Sequence, residues 1–451
     1  MTLGQTEPSV SEALGAFVAA SSWADMAPGL RHEAKRSLLN FFGCALGVAQ
    51  ATPIETAVRV LSPYSGAAEA SLIGRRERLD ILGASFINAV SGNLLDYDDT
   101  HLNTVIHPTA PVAPVVLALA EERGFSGASV LHAFILGAEI ECRIGNGVSP
   151  GHYARGWHIT ATCGVFGAAA ASAKLLGLSA GETAHALGIA ASQSAGLVEN
   201  LSTPAKNVGV GNAARNGLFA ALMAQGGYEA ASAAVEGPLG WALASGDQPD
   251  VFEILDSLGS RWELLKNTYK PYPSGIVFHA ITDACLSLRN DLDPASIESV
   301  TVSGDALLLA RGDRVVPNER DARVSIHHTA AVALLFGAAG LREYSAEIVD
   351  DDRVRAFRSR VRAELAPDLP RGAARVEVRL VNGRSLDATV LHPRGSEEDP
   401  MSDSEIEAKV RDLARQSGTG CDVGPLIDAI WRLDEAADVR SLMSLVRPPG
   451  P

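Results

Sequence analysis

The 451-residue chain lacks the sequence features typical of nucleic-acid-binding, disulfide-rich, zinc-binding and membrane proteins. It has no basic block, and its 38 Lys and Arg residues against 53 Asp and Glu residues give a formal net charge of −15. A protein of this charge repels a phosphate backbone, so we expect no nucleic-acid partner. An anionic substrate would need local cationic groups, which makes any inward-facing lysine a candidate site residue.

Cysteine is scarce and scattered. The five cysteines are Cys44, Cys142, Cys163, Cys285 and Cys421. An odd number without CxxC spacing fits a reducing compartment better than a disulfide framework. The adjacent pair His327 and His328 lacks the i, i+4 spacing of a zinc-binding helix, and no Cys/His set completes a tetrahedral site. We therefore predict no metal.

Long apolar runs and targeting signals are also missing. The first ten residues, MTLGQTEPSV, lack the basic and apolar regions of a secretion signal. We find no uninterrupted apolar run of about 18 residues, the length that a membrane span requires. These absences predict a cytoplasmic protein with no membrane partner.

The sequence does contain a long series of helical patterns. Apolar residues recur at three- and four-residue spacing up to about residue 266, in the runs 9–20, 32–48, 80–95, 110–123, 128–144, 160–176, 180–196 and 209–225. Ser179 and Glu182 form a capping box ahead of one helix, and Gly124 and Gly177 stand where periodicity stops. This half predicts a mainly helical domain.

Strand patterns appear only after Pro271. The segment 299–304 alternates like a strand, and 375–390 predicts a hairpin turning at Asn382-Gly383. Helical patterns at 322–336 and 352–365 lie between them, and helical pattern resumes at Ser402. We predict a mainly α protein in which residues 1–268 and 402–451 form the helical domain and residues 269–401 form a smaller α+β domain.

Ionisable and hydroxyl groups crowd the segment between two predicted helices. They are Asp96, Asp98, Asp99, Thr100, His101 and His107. Mutual repulsion among carboxylates can tune one of them toward the working pH as a general acid or base. The alternatives are a solvated acidic loop that caps the next helix, or a cation held by Asp96, Asp98 and Asp99.

Two further candidates stand near helix starts. His158 opens the helix at 160, where the positive end of the helix dipole keeps an imidazole neutral and basic. The alternative is a histidine that caps the helix or packs on Trp157. Lys206 comes just ahead of the glycine-rich start of the helix at 209, an arrangement suited to binding a carboxylate. The alternative is an exposed lysine on a surface turn.

The remaining candidates belong to the second domain. Lys270 stands between Tyr269 and Pro271 at the domain junction, where prolines could present it to a cleft between domains. The alternative is a rigid hinge whose lysine faces water. Tyr272, His279 and His328 are candidate substrate-binding residues. Because adjacent helical side chains diverge, at most one of the His327/His328 pair faces a site.

In this order, the segments resemble the MmgE/PrpD family over nearly the whole chain. The resemblance rests on LLDYDDT with HPTAPVAP, GWHITATCGVFGAAAASAKLLGLS, AKNVGVGNAARNGLFAALMA and YKPYPSGIVFHAITDA. It implies a helical domain built from both chain ends, an α+β lid domain, a homodimer, and neither organic cofactor nor required metal. By motif position it implies site residues at Asp96, Thr100, His107, His158, Lys206 and Lys270.

The resemblance also implies acid/base chemistry beside a carboxylate of a small di- or tricarboxylic acid. We expect a hydro-lyase acting on a 2-methylcitrate-like hydroxy acid, with His158 as principal base. The alternatives are an epimerase or isomerase, a decarboxylase, or a non-catalytic dimeric binding protein. Two positions depart from the decarboxylase-like and dehydratase-like pattern, because Gly275 replaces a histidine and His328 replaces a tyrosine.

Overall fold

The structure is a computed structural model that describes residues 8–246 and 248–449. Helix accounts for 59% of it and strand for 9%, which confirms a mainly α protein with a smaller α+β part. The chain divides into two compact units. One contains the chain up to Asn267 and from Asp403 onward, and the other is Thr268–Ser402.

The first part of the helical unit is a series of packed helices. They are α1 (Val10–Ala20), α2 (Pro28–Gly47), α3 (Thr52–Leu61), α4 (Ile81–Asn93), α5 (Thr109–Arg123), α6 (Gly127–Val148), α7 (Gly151–Ala154), α8 (Ile159–Leu176), α9 (Ala180–Ala191), α10 (Ala205–Gln225), α11 (Trp241–Ser245) and α12 (Val251–Leu255). Two-residue strands are β1 (Ala70–Ser71), β2 (Arg78–Leu79), β3 (Thr100–His101) and β4 (Asn267–Thr268). Strands β1 and β2 pair antiparallel.

The helix-end signals of the sequence are confirmed. Ser179 and Glu182 form a reciprocal capping box at α9, and Gly124 and Gly177 end α5 and α8 in the left-handed conformation. The predicted start of α10 is wrong, since the helix begins at Ala205 rather than near residue 209. Gly209 and Gly211, which were expected at the helix start, therefore lie in its second turn.

Helix α8 is the centre of the helical unit and packs against α6 and α10. Close approach depends on glycine: a Cβ at Gly217 of α10 would lie 2.5 Å from the Cβ of Ala168 and 2.6 Å from the carbonyl oxygen of Val165. These contacts pack the middle of α8, the helix that His158 caps, closely against α10.

Helix α8 is also more apolar than the sequence analysis anticipated. With 18 residues and a mean hydropathy of 1.4, it is long and apolar enough to cross a membrane. The bent pair Pro28–Gly47 and Thr52–Tyr64 passes the same test when taken together. However, 89% of the α8 stretch is buried inside the protein, as expected for a core helix.

The α+β unit contains a four-stranded sheet and its covering helices. The elements are α13 (His279–Arg289), β5 (Ile297–Gly304), α14 (Ala306–Gly312), α15 (Glu319–Ala322), α16 (Ile326–Phe336), α17 (Ala346–Val349), α18 (Asp352–Arg358), β6 (Val361–Leu365), β7 (Ala374–Leu380) and β8 (Ser385–Val390). The strand order is β6-β5-β7-β8. Inward residues of β5 and β7, such as Val300, Val302, Val376 and Val378, form the core with α13 and α16.

The β7–β8 hairpin is confirmed, with Gly383 in its turn at a φ of 81°. The helix predicted over 352–365 is wrong in its second half. Residues 361–365 form β6, which pairs parallel with β5, Val300 lying opposite Val361. Pairing with a strand about 60 residues away overrides the helical propensity of this short segment.

After this unit the chain continues with α19 (Asp403–Ser417), α20 (Val423–Trp431) and α21 (Arg440–Leu445). Helix α19 packs against α2, and Lys409 on α19 donates to the carbonyl oxygen of Tyr97 at 2.6 Å and to Oδ1 of Asn40 at 2.8 Å. The buried ammonium of Lys409 thus binds the backbone of the segment between α4 and α5, which contains Asp96, Asp98 and Asp99.

Candidate active site

The segment between α4 and α5 brings the predicted ionisable groups together within the helical unit. Asp96 has a φ of 54°, a left-handed conformation that is uncommon for a residue other than glycine. Its side chain remains 42% exposed, whereas Asp98 and His107 are buried. The loop thus presents one carboxylate to the surface of a cluster whose other members lie inside the protein.

His107 lies at the centre of this cluster. Its Nδ1 lies 2.8 Å from the carbonyl oxygen of Asp99 and 3.4 Å from both Oδ1 of Asp98 and Oγ1 of Thr100. Its Nε2 lies 3.4 Å from Oδ1 of Asp96. Because a carbonyl oxygen can only accept, Nδ1 carries a proton. Oxygen atoms thus lie near both ring nitrogens of His107.

Lys206 completes the cluster from the first turn of α10. Its Nζ donates to Oδ1 of Asp96 over 2.7 Å, and its side chain is only 5% exposed. The expectation of a lysine just ahead of the helix is therefore corrected to one inside its first turn, and the alternative of an exposed surface lysine is wrong. Pro204 is the N-cap residue of α10, and Lys206 is buried in the first turn that follows it.

Asp99 faces away from this cluster. Its Oδ2 accepts hydrogen bonds from the Thr109 hydroxyl and, at 2.6 Å, from Nδ2 of Asn267. Burial, reinforced by the charge of Asp98, raises the pKa of Asp99 to about 7. Asp98 instead accepts from Nδ2 of Asn93 at 2.7 Å. The carboxylates of Asp96, Asp98 and Asp99 thus have different hydrogen-bond partners.

The residues that could hold a cation differ from the predicted set of Asp96, Asp98 and Asp99. Ligand atoms of Asp96, Asp98 and His107 lie within 4.8 Å of one another and could hold a metal ion by distance. Asp99 is directed elsewhere, and Lys206 already gives Asp96 a cationic partner. The chain therefore compensates the carboxylate charge itself, and the absence of a metal stays a prediction.

His158 occupies the N-cap position of α8, as the sequence predicts for a histidine at a helix start. It makes no side-chain capping bond, and Trp157 stacks on His152 instead. His158 is 3% exposed, and among residues 8–246 and 248–449 none forms a hydrogen bond with its Nδ1. Burial, then the positive charges of Lys206 and His107, lower the pKa of His158 well below its usual range. The resting imidazole is neutral and can accept a proton.

The other predicted residues belong to the α+β unit. Lys270 and His279 are buried, and the Tyr272 hydroxyl donates to Oδ1 of Asp283 at 2.6 Å. The Tyr272 and His279 rings meet edge to face with centroids 5.5 Å apart. Their roles stay predictions from the sequence.

The two departures from the family pattern are built into this unit. A Cβ at Gly275 would lie 3.0 Å from the Phe278 ring, so the glycine makes room for an aromatic side chain. His328 is buried, with Nε2 bonded to the Glu343 carbonyl oxygen at 2.9 Å. His327 instead lies 2.8 Å from Oδ1 of Asp313 at the surface. As expected for neighbours on a helix, only one of the two histidines turns inward.

Sequence reasoning missed several polar side chains that lie in and around the site. The Thr160 hydroxyl accepts from the backbone N–H of His107 at 3.2 Å. Asn207 donates to the carbonyl oxygen and to Oδ1 of Asn93, both at 2.9 Å. Glu141 on α6 is fully buried. The sequence signal that could have identified such residues is an asparagine or glutamate within an apolar helix. Burying a polar side chain costs free energy, so its presence there indicates a compensating contact or a function.

Known proteins resemble this chain along most of its length. The MmgE/PrpD N-terminal domain family model matches residues 12–252 and the C-terminal domain model matches residues 272–433. A cis-aconitate decarboxylase-like protein of Aspergillus oryzae is 27% identical over 94% of each chain. The cis-aconitate decarboxylase of Homo sapiens is 27% identical over 92% of this chain and 90% of its own. That of Aspergillus terreus is 28% identical over 94% and 93%, respectively. This protein therefore belongs to the MmgE/PrpD family.

Proposed function

We propose that this protein is a lyase that acts beside a carboxylate of a small tricarboxylic acid, and that His158 moves the proton. The observation that carries the proposal is the arrangement of Lys206, Asp96 and His107 next to a buried, neutral His158. Cationic groups can bind substrate carboxylates, while an uncharged imidazole can take a proton at neutral pH.

Decarboxylation of a cis-aconitate-like acid is the first candidate, because the relatives described above are named for that reaction. In this step a carbon–carboxylate bond breaks and CO2 leaves. Its electron pair stays on carbon, delocalised toward a neighbouring carboxylate, and one proton is then added. The positive charge of Lys206 would stabilise the developing anion. An anionic substrate beside His158 would raise its pKa and allow the ring to deliver the proton.

Dehydration of a hydroxy tricarboxylate is the second candidate, and the neutral resting state of His158 favours it. Here the imidazole takes a proton from the carbon next to a carboxylate, and hydroxide leaves from the adjacent carbon as a double bond forms. The hydroxide needs a proton donor, and a protonated His107 could supply it. Both candidates use the same residues but require opposite starting protonation states of His158.

Further parts of the proposal rest on the family resemblance alone. We retain Thr100, Lys270, Tyr272, His279 and His328 as candidate site residues. We also propose that the enzyme needs neither a cofactor nor a metal, forms a homodimer and is located in the cytoplasm. Epimerisation and a non-catalytic binding role remain the outcomes against which these candidates are tested.

A product analysis distinguishes the reactions. The protein is incubated in D2O with cis-aconitate and, separately, with 2-methylcitrate and citrate, and the mixtures are followed by proton NMR and CO2 detection. Release of CO2 with one deuterium in the product supports decarboxylation, and a new double bond without CO2 supports dehydration. Deuterium exchange in unchanged acid supports epimerisation. If the folded protein turns over none of these acids, the proposed function is wrong for this substrate class.

A further inference from the structure

His152, a histidine that neither the motifs nor the proposed chemistry uses, is completely buried at the start of the segment that leads to His158. Its Nδ1 lies 3.1 Å from the carbonyl oxygen of Ser245, and its Nε2 lies 2.7 Å from Oγ1 of Thr162. The carbonyl oxygen can only accept, so Nδ1 carries the proton. In the neutral ring, Nε2 is therefore an acceptor, and the Thr162 hydroxyl donates to it.

The His152 ring also lies beside two aromatic side chains. Trp157 stacks on it with centroids 5.9 Å apart and planes inclined by 16°, and Trp241 lies at 5.3 Å. Trp157 directly precedes His158 in the chain. The backbone N–H of Trp157 donates to the carbonyl oxygen of His152 at 3.3 Å. The position of the His152 ring thus fixes the residue next to His158.

Thr162 forms a second link to His158. Its backbone N–H donates to the carbonyl oxygen of His158 at 3.1 Å in the first turn of α8. Its hydroxyl oxygen lies 3.3 Å from that same carbonyl oxygen and 3.4 Å from the carbonyl oxygen of Ile159. One hydroxyl proton cannot serve three acceptors, and His152 at 2.7 Å is the nearest.

We propose that His152 is a positioning residue that sets the orientation of His158. It directs the hydroxyl proton of Thr162 away from the carbonyl oxygens of His158 and Ile159, and it packs against Trp157. The proposal rests on the proposed function in one respect, that His158 transfers the proton. Burial lowers the pKa of His152 to about 4, so this hydrogen-bond direction persists at neutral pH.

The direct test is His152→Phe, which keeps an aromatic ring beside the two tryptophans but removes both nitrogen contacts. We expect kcat to fall by about 10- to 100-fold with little change in KM, since small displacements of a reacting group reduce turnover on this scale. In a His158→Asn background the same change should cause no further loss, because His152 acts only through His158. An equal fractional loss in both backgrounds would overturn the proposal.

A matched control is His132→Phe. His132 is also buried, lies beside Trp23 with centroids 6.3 Å apart, and has a hydroxyl partner, Oγ of Ser21, at 2.9 Å. Burial lowers its pKa to about 4 as well. This variant should lower the thermal midpoint and leave kcat unchanged. If both histidine variants reduce kcat to the same extent, the effect is general destabilisation and the proposal is wrong.

Thr162 provides a second route if His152→Phe does not fold. Thr162→Val removes the hydroxyl and should reproduce the loss of kcat, whereas Thr162→Ser keeps it and should retain activity near that of the wild type. Equal activity of the valine and serine variants would contradict a role for the hydrogen bond.

Nitrogen-15 NMR of labelled histidines tests the same claim without turnover. His152 should show a proton on Nδ1 and none on Nε2, and the His158 signals should shift in His152→Phe but not in His132→Phe. The opposite tautomer, or unchanged His158 signals, would refute the positioning role. If every acid is left unreacted while these shifts appear, the proposed function fails and the positioning of His158 stands.

Discussion

Lys206 and His107 share one oxygen atom of Asp96. The Lys206 ammonium lies 2.7 Å from this Oδ1, and Nε2 of His107 lies 3.4 Å from it. Two cationic donors thus converge on a single partly exposed carboxylate oxygen, although their positions in the chain are about a hundred residues apart. Their combined positive charge also acts on His158, where it adds to burial in keeping the ring neutral.

Removing the ammonium should therefore change both binding and protonation. In Lys206→Met we expect kcat/KM to fall by about 10²–10³-fold, the range seen when one charge-stabilising group is lost. The pKa of His158 should rise, because a nearby positive charge has gone. The limb of the pH–rate profile that reports His158 should move to higher pH. Lys206→Arg, which keeps the charge, is the control, and a profile unchanged in Lys206→Met would contradict the electrostatic role.

Glu141 should make stability fall as pH rises. It is completely buried, neither carboxyl oxygen has a hydrogen-bond partner among residues 8–246 and 248–449, and burial raises its pKa well above the usual range. The folded state then binds more protons than the unfolded state above the unfolded pKa of about 4.3. Glu141→Gln removes this difference, so its stability relative to the wild type should increase by up to about 1.4 kcal/mol per pH unit.

Denaturation midpoints measured between pH 5 and pH 8 test this prediction. Glu182→Gln is the control, because bonds from Ser179 lower the pKa of the exposed Glu182 carboxylate, which titrates below this window. The stability difference between this variant and the wild type should be flat across it. A flat difference for Glu141→Gln as well would show that Glu141 is not a buried neutral acid.

The packing of α8 against α10 predicts opposite effects for two glycine substitutions. Gly217→Ala places a methyl group 2.6 Å from the Val165 carbonyl oxygen, and we expect a loss of about 1–3 kcal/mol. Gly181→Ala in α9 meets no atom of the described residues within 4 Å and should stabilise the protein by about 0.5–1 kcal/mol. Thermal midpoints of both variants provide the comparison. Equal effects would argue against close packing at Gly217.

Local sequence signals predicted much of the fold. Helix α5 was expected at 110–123 and runs from Thr109 to Arg123, because apolar periodicity and a terminal glycine agree there. The Asn382-Gly383 turn likewise identified its hairpin. Strand β6 could not be predicted, since its helix-forming residues adopt a strand only through pairing with β5. The start of α10 was predicted four residues late, at 209, because the apolar pattern does not show that the helix already begins at Ala205.

The sequence predicted which residue types form the site but not which hydrogen bonds they make. Carboxylates, imidazoles and a lysine between apolar helices identified Asp96, His107, His158 and Lys206 as candidates. Nothing local indicated that Asp99 would turn toward Asn267, or that His152 would bond to Ser245, since both contacts join distant parts of the chain. Hydrogen-bond direction and pKa follow from such contacts, so they require the folded structure.

The most direct test of the account is the turnover of His158→Asn on whichever acid the wild type consumes, measured together with the Kd of that acid by calorimetry. If His158 transfers the proton, kcat should fall by about 10²–10⁴-fold while Kd stays within about threefold of the wild-type value. A variant that binds and turns over the acid as the wild type does would contradict the central claim.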